Sequence, residues 1–66
     1  MKTVEQLKEK AKELSKETLS YSRQGIALLQ SGNMKEGSSL MRQAHETNKR
    51  FQVVLDEIIR LEKLIS

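Results

Sequence analysis

Cysteine, proline and tryptophan are absent from this 66-residue chain, which holds one tyrosine and one phenylalanine. Without cysteine there is no disulfide staple and no thiolate metal ligand. Without proline nothing forces a break inside a helix. Two aromatics are too few for the stacking platforms on which single-stranded nucleic acids are held. No apolar run approaches the roughly 20 residues that a membrane span needs. The opening stretch MKTVEQLKEKAKEL is charged throughout and has no apolar centre, so it does not read as a signal peptide. These absences predict a soluble, cytoplasmic protein of one small domain, with no membrane contact. A core this small is marginal by itself. Stability must come from regular packing or from a second subunit.

Charge of one sign is also scarce. Twelve Lys and Arg oppose nine Asp and Glu, for a net charge of +3, and the two signs are interleaved along the chain. A continuous basic face, the usual mark of a nucleic-acid binder, is not apparent.

What is present is helical. Thr3 and Gln6 form a capping-box pattern at a helix start. The helical pattern then continues to about Gln30. Ser31-Gly32-Asn33 is the one convincing break, with Gly32 suited to the left-handed end of a helix. Asn33 suits the next N-cap, with Glu36 as its capping-box partner. The second helix is predicted over about Met34 to Leu64. A connection this short makes the helices antiparallel neighbours. The fold class is therefore all-α: a single domain over residues 1–66, with helices over about 4–30 and 34–64 and a turn at 31–33.

In the first helix Val4, Leu7, Ala11, Leu14, Thr18, Tyr21, Gly25 and Leu28 alternate in steps of three and four, a heptad seam. In the second, Ala44, Phe51, Ile58 and Ile65 recur every seven. Leu40, Thr47, Val54 and Leu61 flank them on one side, and Met41, Asn48 and Leu55 on the other. So broad an apolar face calls for more than one neighbour. Ile26, Leu29, Ile59 and Leu64 add to the surplus. Two hairpins packed into a four-helix bundle, a homodimer, would cover it. Folding the chain about Gly32 sets Leu28 near Gly37, Tyr21 near Ala44, Leu14 near Phe51, and Val4 and Leu7 near Ile58 and Leu61. Thr18, Thr47 and Asn48 then share a level. Asn48 is either a buried polar residue that fixes register or a solvated one at the edge of the face.

Several features bear on chemistry. Gly25, with Ser22 and with Gly37, Ser38 and Ser39 opposite, marks either close helix packing or a notch for a partner. His45, the lone histidine, follows Arg42 by three residues, where a bundle metal site would place a glutamate. With Arg42 and Lys49 it makes a basic edge. Glu5, Glu9, Glu13 and Glu17 form an acidic ridge beside Lys8, Lys12 and Lys16, with i,i+3 pairs predicted at 5–8, 9–12 and 13–16. No phosphate-cradling loop, paired carboxylates or nucleophile-base arrangement occurs. The chain is read as a non-enzyme, and no cofactor and no metal are called for.

The stretch from Ala27 to Phe51 resembles a helical hairpin in the C-terminal domain of galactokinase- and mevalonate-kinase-like enzymes. Gly32-Asn33, followed by Gly37 through His45, matches a Gly-Asp/Asn … Gly-x-Leu-Met-x-x-x-His run found there. The phosphate-binding loop of those kinases is missing, so their activity is not implied. The turn Ser-Gly-Asn-Met-Lys-Glu-Gly is also similar to the inter-helix turn of tetratricopeptide and microtubule-interacting-and-trafficking domains, which have further helices. Both likenesses imply a shared way of capping a helical hairpin.

The functional expectation is a small protein-interaction or regulatory module acting through helix faces and self-association. Leu14, Phe51, Val54, Leu55, Ile58 and Leu61 are the residues expected to carry assembly. A helical protein partner laid on the same faces is also accommodated. One alternative is a nucleic-acid-binding bundle that presents Arg42, Lys49, Arg50 and Arg60 to phosphates, although Glu46, Asp56 and Glu57 interrupt that row. Another is a structural component of a larger assembly of phage or secretion type.

Overall fold

Thr3 starts the first helix by the predicted reciprocal pair. Its Oγ1 accepts from the Gln6 amide at 3.2 Å, while Gln6 Oε1 accepts from the Thr3 amide at 3.0 Å. Two of the first turn's orphan donors are thereby satisfied. The computed structural model describes residues 3–65. Over that range the chain forms helix α1, Val4–Gln30, and helix α2, Met34–Ile65. Both lie within a residue of their predicted ends.

Gly32 ends α1. Its φ is +89°, a conformation that side chains disfavour. The Asn33 amide bonds back to the Leu28 carbonyl at 2.8 Å and the Gly32 amide to the Leu29 carbonyl at 3.1 Å. Those two bonds make a Schellman motif. Ser31 Oγ adds a bond to the Leu28 carbonyl. We expect Gly32→Ala to cost about 1–2 kcal/mol, read as a lower thermal midpoint with unchanged helicity at 5 °C. An unchanged midpoint would mean that the turn relaxes freely.

Asn33 opens α2 differently from the predicted capping box. Its backbone carbonyl accepts the first helical bond, from Gly37. Its side-chain amide instead donates to the Glu36 carboxylate at 3.3 Å.

The two helices lie side by side along a rod of 50 × 18 × 14 Å. Far from the turn, Leu7, Ala11 and Ile58 form a buried cluster, with Val4, Phe51, Val54 and Leu61 packed against it. This reproduces the expected meeting of Val4 and Leu7 with Ile58 and Leu61. Next to the turn the contact is made of small residues. A Cβ on Gly25 would come within 2.7 Å of Met41 Sδ and 3.1 Å of the Gly37 carbonyl oxygen. A Cβ on Gly37 would come within 2.8 Å of Leu29 side-chain atoms and 3.0 Å of its backbone nitrogen. The Gly25–Gly37 notch is therefore filled from within the hairpin, by the Met41 and Leu29 side chains and by backbone, the close-packing reading.

Between these regions lies the polar level. Thr18 Oγ1 donates to the Leu14 carbonyl at 2.9 Å, and buried Thr47 Oγ1 to the Gln43 carbonyl at 2.8 Å. Each hydroxyl is satisfied within its own helix, so no cross-helix hydrogen bond is needed. Asn48 stands outside this layer and is exposed. Of the seven-residue series in α2, the side chain of Ile65 lies outside the described ones.

Candidate interaction surfaces

An antiparallel helix pair has two long sides, and here they differ. The first is edged by Lys10 and Glu17 of α1 and by Gln43, Arg50 and Val54 of α2. An open groove on this side is lined by Glu17, Tyr21, Ser39, Arg42, Gln43, Glu46, Thr47 and Arg50. A second one continues along it between Lys10, Leu14, Glu17, Arg50, Val53 and Val54. The side is charged over its whole length, with both signs present.

The opposite side is marked at its open end by an ion pair across the hairpin, Lys8 Nζ to Glu62 Oε2 at 3.3 Å. Both partners are about half exposed, so the pair contributes at most about 1 kcal/mol. Beyond it, helical periodicity places two rows of each helix on this side. From α1 these are Ser15, Leu19, Ser22, Ile26 and Leu29. From α2 they are Ser38, Met41, His45, Asn48, Gln52, Leu55 and Ile59. No Asp, Glu, Lys or Arg occurs among them, although the row of Leu19 and Ile26 continues toward the open end with Lys12. Leu19, Ile26 and Ile59 are 51%, 47% and 44% exposed.

The six residues expected to carry assembly are largely used within the hairpin. Leu14 and Ile58 are 3% and 5% exposed. Phe51, Val54 and Leu61 are half-buried against the intramolecular cluster. Leu55, also half-buried, stands on the uncharged side. The apolar side chains that stay open are others: Leu19, Ile26 and Ile59, with Met34 at the turn and Val53 and Leu64 elsewhere on α2. Of the surplus read from the spacing, Ile26, Ile59 and Leu64 are exposed and Leu29 is half-buried, while the spacing does not single out Leu19, Met34 or Val53. Leu19 follows Ser15 and precedes Ser22 and Ile26 at helical spacing, and that was the available signal.

The four basic candidates do not converge on one patch. Arg42 and Arg50 share their groove with Glu17 and Glu46. Lys49 Nζ sits 3.8 Å from Glu46 Oε1. Arg60 lies further along α2 and does not line that groove. Nor do the predicted pairs 5–8, 9–12 and 13–16 appear among the ion pairs within 4 Å. Lys8 crosses to Glu62, and Lys10 reaches Glu13 at 3.9 Å.

No family model, curated protein or solved structure matches the chain. Function must therefore be argued from its surfaces. Among the described residues no three His, Asp or Glu side chains gather as a metal-binding group. Among the same residues no helix is long and apolar enough to cross a membrane. His45 is exposed on the uncharged side, apart from the acidic ridge of α1.

Proposed function

We propose that this protein is a small, non-enzymatic interaction module that works through helix-face packing and self-association, two hairpins forming a four-helix bundle. The observation that carries this reading is surface area. The chain exposes 5208 Å². A compact protein of its 7.6 kDa would expose about 4,300 Å². The surplus, about 900 Å², is close to the roughly 800 Å² that one partner contributes to a standard interface. Among the described residues the buried apolar side chains are only Leu7, Ala11, Leu14, Ala44 and Ile58. A second subunit supplies what so small a core lacks.

Light scattering across a concentration series, with helicity recorded on the same samples, tests this. A mass of twice 7.6 kDa, falling together with helicity on dilution, is the expected result. A fully helical monomer at every concentration would overturn it. The interleaved acids among the basic candidates favour protein over nucleic acid as the partner.

A further inference from the structure

Resting on that reading, we infer that the uncharged side is the surface on which a second copy of this chain docks. The contact is two-fold and antiparallel, with α2 laid on the partner's α2, Asn48 at the axis and the two turns at opposite ends.

The argument begins with symmetry. A two-fold contact presents the same patch from both subunits, so residues near the axis meet their own kind. A charge there would face its own sign. On the charged side a two-fold contact would also have to strip water from Glu17, Arg42, Glu46 and Arg50, a cost that ion pairing often does no more than offset. The other side carries no charge from Ser15 to the turn and back along α2 to Gln52; Lys12, one heptad before Leu19, and the Lys8–Glu62 pair stand only toward the open end. Depletion of charge is also what marks the centre of protein interfaces. A foreign partner would instead be selected and steered by complementary charge, which this surface does not offer.

The order of residues along α2 then fixes the direction. Asn48 lies near the middle of this 32-residue helix. Seven residues to either side, in the same row, stand Met41 and Leu55. The neighbouring row, Ser38, His45, Gln52 and Ile59, is centred half a residue further on, between Asn48 and Lys49. Turning α2 end for end about Asn48 therefore sets Met41 against Leu55, His45 against Gln52 and Ser38 against Ile59. Large apolar meets large apolar, polar meets polar, and a small residue meets a large one. Asn48 would meet Asn48. A carboxamide both donates and accepts, so it pairs with its own copy, and one such polar residue in an apolar seam specifies register. The exposure of Asn48 in the single hairpin is thus the exposure of an interface centre.

The chain has no cysteine of its own, which makes the test clean. Asn48→Cys should crosslink to a covalent dimer under mild oxidation, because antiparallel pairing at the axis brings the two Cα atoms within disulfide range. Val53→Cys, 66% exposed but off this side, should crosslink far more slowly. In parallel, Asn48→Lys should raise the dissociation constant about a hundredfold or more, and Val53→Lys should leave it unchanged. Spin labels on Ser31→Cys should then report turns separated by about the 50 Å length of the rod. A wild-type dimer in which Asn48→Cys fails to crosslink and Asn48→Lys still dimerises would overturn this docking mode while leaving self-association intact. Labels close together would overturn the antiparallel direction. A wild-type chain that stays monomeric would overturn both readings.

Discussion

Leu7→Ala should unfold the hairpin or leave it barely folded at 25 °C. Leu7 is the most buried large side chain, 2% exposed, and it anchors the cluster with Ala11 and Ile58. Truncating a fully buried leucine costs about 2.7–5 kcal/mol, the range set by how far the cavity collapses. A chain of 66 residues has a total stability of about 3–10 kcal/mol. One substitution therefore removes a large share of it. Urea denaturation followed by helicity is the check. A midpoint within error of wild type would mean that the cluster around Leu7 does not hold the helices together. Leu19→Ala, on a half-exposed leucine, is the companion measurement. It should cost far less within one hairpin, and more only where a partner covers it.

The second large effect is expected at Gly37. A Cβ there would lie 2.8 Å from two Leu29 side-chain atoms and 3.0 Å from the Leu29 backbone nitrogen. A side chain can rotate away, but the Leu29 backbone nitrogen, in the last turn of α1, moves only if the end of the helix moves with it. Gly37→Val should therefore force α1 and α2 apart beside the turn, with an overpacking cost of about 3 kcal/mol. Gly25→Ala makes the contrast. Its nearest obstacle is the flexible thioether of Met41, with the Gly37 carbonyl oxygen at 3.1 Å, but alanine adds one carbon where valine adds three and returns up to about 1 kcal/mol of helix propensity. A thermal midpoint for Gly37→Val equal to that of Gly25→Ala would show that the helices do not approach as closely as described.

The helices, their ends and the turn were legible because each rests on local chemistry. Thr3 with Gln6, Gly32, and the three-four alternation of the seam need no tertiary knowledge. The meeting of Val4 and Leu7 with Ile58 and Leu61 followed too, since a short turn at Gly32 sets how the two helices pair. What could not be read was which side of the apolar face is covered and which is left open. That depends on how α2 rolls against α1, set by the whole contact and not by any one residue. Phe51 shows this: it holds the middle of the seven-residue series of α2, yet it is only half-buried. The ion pairs failed for a related reason. Glu5 and Lys8 have ideal spacing along one helix, but the lysine finds Glu62 across the hairpin. The asymmetry between the sides was present in the sequence as an absence of charge at particular spacings. Counting apolar residues alone does not find it.

The apolar cluster lies at the end of the rod away from the turn, and this bears on how the molecule comes apart. Contact between Gly25 and Gly37 closes a loop of 12 residues, whereas Lys8 and Glu62 are separated by 54. The difference in closure entropy is about 1.3 kcal/mol in favour of the turn. A hairpin with even packing would zip from the turn and fray from its free ends. Here the strongest burial, at Leu7, Ala11 and Ile58, sits where fraying would begin. Amide exchange should therefore show protection at Ala11 and Ile58 as high as at Leu28 or Leu40, with opening as a single unit.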